Sequence, residues 1–283
     1  MAHVKFPPLP LAQWQSSRDT VHGYARVLGA VRRQLTPPQK HWWHVSLRAA
    51  AVGLTTTPVP AGGFTFDMLL DLCTHELCIA TSEGDWWDMS LRGQSPQRFL
   101  EEALGALHTL GVDAAMDGAD LELAEDGAYD TMAVEDFWHA LAQIDVLLKQ
   151  FKGRLREETS PVQFWPHHFD LSLVWFSGNL VPDQDPANPE YADEQMAFGF
   201  STGDQGTPQP YFYVTAYPWR DELLQTPLPA GARWHTEGWK GALLPYQEIV
   251  GSEDAGDYLL SYWQSAQRAG AALVQEARSA ASG

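Results

Sequence analysis

The feature that most constrains this chain is a pattern of helix, several strands and helix that occurs twice. Val21, Ala25, Leu28, Val31 and Leu35 form an apolar stripe at helical spacing. That helix is expected to begin near Ser17 or Asp19 and to stop at Pro37-Pro38. Extended stretches are expected at 41–54, 64–73, 77–81 and 86–91, with Gly62-Gly63, Thr74-His75-Glu76 and Gly84-Asp85 where turns are needed. Ser95 then offers an N-cap, Pro96 suits the first helical position, and Gly111 follows the last apolar residue of the second helix. Phe137, Leu141, Ile144, Leu148, Phe151 and Leu155 make the cleanest amphipathic helix in the chain. Extended stretches at 162–176, 195–201, 211–217 and 239–246 follow it, and a helix over about 252–278 closes the chain.

This order predicts an α+β fold made of two pseudo-repeated α–β(4)–α halves with mostly antiparallel sheet, packed as one unit. The first half covers 1–116, an acidic connector 117–131, and the second half 132–283, with a short extended piece expected around Leu121 to Leu123. Setting His44 beside His168, a shift of 124 residues, keeps strand and following turn in step, as an internal repeat requires.

Charge narrows the partners. Of the 283 residues 36 are acidic and 18 basic, a formal charge of −18. Such a field repels phosphate backbones and anionic lipid, and the sequence contains no basic cluster to offset it, so nucleic acid is not an expected partner. The acidity reads as solubility. No apolar run approaches the ~20 residues of a membrane helix, and Met1 to Gln15 lacks a signal pattern. Two cysteines, Cys73 and Cys78, are too few for a disulfide framework, so the cytoplasm is the default location.

Strand alternation points to a candidate site. On the first expected strand His44, Ser46 and Arg48 share a face, and on the strand of the second half His168, Asp170 and Ser172 do. Buried polar groups need partners, so the triplets face either solvent or each other. A wetted sheet face is the simpler account. The functional account is a cleft in which His44, His168 and Asp170 act together, ligating a divalent transition metal or serving as general base with an orienting acid. Arg48, Glu194, Tyr213 and His235 would then bind substrate, with Arg48 suited to a carboxylate or phosphate. His41 and His44 lie three apart, so only a bulge or turn at Trp42-Trp43 would reunite them. His22 and His139 fall off their helices' apolar stripes and should be exposed. Cys73, His75 and Cys78 do not match zinc spacing, and phosphate-loop, nucleophile-elbow and His-Glu-x-x-His motifs are absent.

HWWHVSL from His41, GLTTTPVP from Gly53, SPVQFWPHHFDLSLVWFSG from Ser160, DEQMAFGFSTGD from Asp193, PYFYVTAYP from Pro210 and HTEGWKGALLPY from His235 span nearly the whole chain. In these stretches the chain resembles a bacterial family of unknown function, domain 5996. The resemblance implies no activity, cofactor or catalytic residue. Two classes of function remain: an enzyme acting on a small polar metabolite, with or without a divalent metal, and a non-catalytic module whose aromatic faces hold a small ligand or a partner chain.

Overall fold

The structure, a computed structural model, describes residues 5–114, 116 and 125–282. Proline opens its first helix. α1 covers Leu11–Leu35 with Pro10 extended at its N-cap, and buried Leu11 and Trp14 carry the apolar stripe back before the expected start. Two glycines let this helix approach its neighbours closely. A Cβ on Gly23 would lie 2.3 Å from Pro96 Cγ, and one on Gly29 would lie 2.7 Å from Pro166 Cγ.

The chain divides into two compact units, Leu9–Ala142 with Gln163–Asp170, and Met1–Pro8 with Gln143–Val162 and Leu171–Gly283. The first contains an antiparallel sheet of β1 (Arg48–Ala49), β2 (Gly53–Thr55), β3 (Val59–Ala61), β4 (Phe64–Asp71), β5 (Glu76–Thr81) and β6 (Trp86–Ser90). Its order is β1-β2-β4-β5-β6, with β3 also pairing β4. Period-two burial is clear on its central strands: Phe66, Met68 and Leu70 on β4 and Leu77 and Ile79 on β5 are buried, while Asp67, Leu69 and Cys78 are half-buried on the opposite face. α1 packs against β3 and β4 and against α2 (Pro96–Thr109). The expected cap of α2 is present, Ser95 Oγ accepting the Arg98 N–H at 3.2 Å with Pro96 at the first position.

α3 (Thr131–Lys152) runs from the first unit into the second. In the first, Phe137 stacks on Trp14 and Phe169 at 5.3 and 5.2 Å. In the second, Phe151 meets Phe198 and Trp263. The second unit's sheet runs β11 (Arg233–His235), β12 (Gly241–Pro245), β10 (Tyr211–Tyr217), β9 (Asp193–Ser201) and β8 (Asp170–Leu180), antiparallel from β11 through β12 and β10 to β9. α4 (Ala255–Ser282) covers the face bearing Met196, Phe198 and Phe212. It approaches closely enough that a Cβ on Gly270 would lie 2.3 Å from Met196 Sδ.

Helices and mainly antiparallel sheets make the fold α+β. Two expected strands are broken, for a backbone reason. Residues Lys40–Val45 form a 3-10 turn in which His41 and Trp42 take left-handed φ of 54° and 58°. In place of the single stretch 162–176, a short strand β7 (Gln163–Trp165) is followed by a turn through Pro166 to Phe169, with Phe169 at φ 55°, before β8 begins. The expected piece around Leu121 to Leu123 lies outside the described residues. The end of the acidic connector is described and is pinned to its surroundings: Gly127 N–H donates to Gly93 O, Asp130 N–H to Ser17 Oγ, and Ser95 N–H to Asp126 Oδ1.

Candidate functional site

The left-handed turn of the first unit is held by one buried cation. Arg32, in the last turn of α1, donates from Nε to His44 O at 2.9 Å and from Nη1 to Thr57 Oγ1 at 2.7 Å. Basic groups are favoured at a helix C-terminus, and guanidinium forks suit backbone carbonyls, so Arg32 ties the helix end to the chain that leaves it. Burial holds its pKa below the ordinary value. Within the turn the His41 ring lies 5.7 Å from that of Trp43, and the Trp42 ring 5.6 Å from that of His44.

His44 is buried and its Nδ1 accepts the Gln39 N–H at 3.1 Å, which puts the proton of the neutral ring on Nε2. Burial first, and then the Arg32 charge, lower its pKa, so the ring is neutral and its one basic nitrogen is occupied. Ser46 Oγ donates to Trp43 O and accepts from Gln163 Nε2 at 2.9 Å and from Arg48 Nη1 at 3.0 Å. His168 lies exposed on the turn before β8, its ring 4.2 Å from that of His167. Asp170 is buried at the first position of β8. One imidazole is thus enclosed and the other is at the surface. The alternation that aligned them needs continuous extended backbone, which the left-handed residues interrupt. Among the described residues no group of three or more His, Cys, Asp or Glu is placed to hold a metal ion. His22 corrects its expectation too: it is largely buried, with Nε2 2.8 Å from Pro166 O, while His139 is exposed.

Of the expected substrate-binding residues, three lie in the second unit. Glu194 is buried and accepts from Ser177 Oγ at 2.7 Å, Asn179 Nδ2 at 2.8 Å and Arg220 Nη2 at 2.6 Å. Burial alone would raise its pKa, but these three donors outweigh it and the carboxyl sits below its ordinary value. That carboxylate is an internal tie. Tyr213 and His235 belong to one aromatic row: His235 packs on Trp239 at 4.5 Å, Trp239 on Tyr211 at 6.0 Å, and Tyr211 on Tyr213 at 6.3 Å. Glycines let two of these rings lie flat on the sheet. A Cβ on Gly199 would fall 2.3 Å from the Tyr213 ring, and one on Gly241 would fall 2.6 Å from that of Trp239.

A different set of side chains lines a cleft of about 370 Å³ in the second unit: Arg154, Leu155, Arg156, Glu157, Gln267, Arg268, Ala271, Ala272 and Gln275. α3 ends at Lys152, and its final carbonyls are closed by the N–H groups of Gly153, Arg154 and Leu155. Cations just beyond a helix C-terminus complement its dipole, a local reason for Arg154 and Arg156. Arg268 arrives from α4, 112 residues after Arg156. Arg92, Arg98 and Arg220 each lie within 4 Å of a carboxylate, but none of the three cleft arginines does among the described residues. The one acid of the lining, Glu157, is held low by its own backbone N–H and then by the Trp175 indole, which donates to it at 3.2 Å. Three positive charges thus stand against one negative. The sequence reading missed this basic cluster because its members meet only in the fold. The Arg-Leu-Arg triplet after the amphipathic helix was its one local trace.

Fold and site together define an α+β protein with a cationic cleft in an otherwise acidic chain. The chain belongs to the family of unknown function DUF5996, whose model it matches over residues 6–282. No curated protein and no solved structure matches it.

Proposed function

We propose that the protein binds a small anionic molecule in the cleft formed by Arg154, Arg156 and Arg268. One observation carries this reading: among the described residues three guanidiniums share a cleft without a salt-bridging carboxylate, in a chain with twice as many acids as bases. Arginine does not deprotonate in proteins, and its planar fork matches carboxylate and phosphate oxygens bidentately. The cleft volume lies in the range of small-molecule sites. Binding is favoured over catalysis because the only acid in the lining is held ionised, and because the basic nitrogen of neutral His44 is already taken by Gln39. Free thiols at Cys73 and Cys78 are compatible with a reducing compartment such as the cytoplasm.

Thermal unfolding of the full chain with and without polyvalent anions tests the proposal. A ligand at a hundred times its Kd stabilises by about 2.7 kcal/mol, which raises Tm by about 5 °C in a chain of this size. Arg154→Ala combined with Arg268→Ala should abolish the rise and leave the unliganded Tm within about 2 °C of the parent. If phosphate, sulfate, pyrophosphate and citrate all leave Tm unmoved, or if the double variant responds as the parent does, the proposal fails.

A further inference from the structure

We infer that the ligand is a free phosphate monoester, a dianionic phosphoryl head on an uncharged body bearing hydroxyl groups; this rests on the anion-binding reading above.

The charge comes from the lining. Three arginines against Glu157 leave a surplus of two positive charges, which a phosphoryl dianion neutralises and a lone carboxylate does not. The body comes from the shape. Arg268, Ala271, Ala272 and Gln275 stand at i, i+3, i+4 and i+7 along α4, so they form one stripe of that helix. At 1.5 Å per residue the stripe runs about 10 Å from a guanidinium at one end to an amide at the other, with two methyl groups between. Inorganic phosphate would fill only part of that length. The volume corresponds to roughly a dozen waters at about 30 Å³ each, which again leaves room beyond the head. The alanines and Leu155 offer apolar surface to a carbon skeleton. Gln267 and Gln275 offer both donors and acceptors, which suits hydroxyl groups and leaves no charge to pair with a second ionised end.

Isothermal titration of the full chain at pH 7 with ribose 5-phosphate, inorganic phosphate, succinate and acetate separates these claims. Ribose 5-phosphate should bind at least tenfold more tightly than each of the others, and Arg268→Ala should cost at least tenfold. Ala271→Leu should abolish the advantage of ribose 5-phosphate over inorganic phosphate. Lowering the pH from 7 to 5 should weaken ribose 5-phosphate about tenfold, because the dianion is lost through a second pKa near 6. No cleft group titrates in that window: Arg154, Arg156 and Arg268 stay charged, the Glu157 carboxyl lies below it, and the lining holds no histidine or cysteine. Equal binding of ribose 5-phosphate and inorganic phosphate would overturn the body. Succinate or acetate binding as tightly, or an affinity flat between pH 5 and 7, would overturn the phosphoryl head. Neither result touches anion binding itself, which falls only if no anion binds or if the arginine variants bind as the parent does. Vesicles containing phosphatidic acid display the same monoester on a surface; capture of the protein by them would assign the ligand to a lipid and overturn a free metabolite.

Discussion

Replacing Glu194 with alanine separates an internal tie from a substrate contact. The carboxylate is 7% exposed and accepts three side-chain bonds, from Ser177, Asn179 and Arg220. Truncating one member of a buried charged pair costs about 3–5 kcal/mol, and each polar group deprived of its acceptor about 1–3 kcal/mol. Arg220 keeps 32% of its side chain exposed, so its charge recovers water when the carboxylate goes, and the lower end applies, about 3 kcal/mol. Urea denaturation followed by tryptophan fluorescence should show the midpoint falling by roughly 1 M at an m-value near 3 kcal/mol/M. The effect should also depend on pH. The folded carboxyl lies below its unfolded value of about 4.3, so its stabilisation is complete above that pH and is lost as pH falls through the folded value. Parent and variant should therefore converge in acid. A midpoint within 0.2 M of the parent at pH 7 would refute the reasoning and return Glu194 to the pool of residues poised for a ligand.

Four further substitutions probe the fold. The His22 imidazole is lowered to about 4 by burial and then by Arg18, so the unfolded chain takes up the proton first; stability falls between pH 6.5 and 4 by roughly 3 kcal/mol, and His22→Gln should flatten that slope in a pH series of urea melts. A Cβ on Gly53 would lie 1.9 Å from Leu70 O across the β2–β4 pairing, so Gly53→Ala should cost about 3 kcal/mol or prevent folding, while Gly63→Ala, with nothing within 4 Å, should stay within about 1 kcal/mol by the same assay. Tyr129→Phe removes the 3.1 Å contact with His75 Nδ1, whose Nε2 lies 3.2 Å from Glu135 Oε1, and should lower stability by about 1 kcal/mol; no change would mean that this chain of bonds does not help pin the segment before α3.

What could be read from the sequence divides along the range of the interaction. Ser95 and Pro96 signal a helix start from within three residues, and α2 begins there. The period of Phe137, Leu141, Ile144, Leu148 and Phe151 is a property of α3 alone, and all five are buried. The strand 211–217 matches β10 residue for residue. Failure came where a distant group overrides local preference. Arg32 gathers the carbonyls of Trp43 and His44, and left-handed His41 and Trp42 turn an apparent strand into a 3-10 turn. Phe169 divides the second stretch and finds its packing against His22, Phe137 and Phe164. Left-handed Phe169 breaks the alternation that placed His168 and Asp170 on one face, so His168 is exposed while Asp170 is buried. Glu194 was visible as a polar group at a strand edge, but its partner Arg220 lies 26 residues on, so its role was not.

The contrast between a basic cleft and an acidic chain has a kinetic consequence that ordinary binding sites lack. At ~0.01 M salt the Debye length is about 30 Å, so an approaching dianion feels the whole formal charge of −18 and is repelled. At ~0.15 M the length falls to about 8 Å; the global field is screened while the arginines still act at contact. The association rate of ribose 5-phosphate, measured by stopped-flow competition against a fluorescent phosphate ester, should therefore rise between those salt concentrations, and the dissociation rate should rise with it as the contact ion pairs weaken. Electrostatically steered sites do the opposite, their association rates falling steeply with salt. An association rate that drops tenfold or more over this range would mean that the surplus of two charges projects further than the chain's net charge, and the picture of a local well in a repulsive field would be wrong.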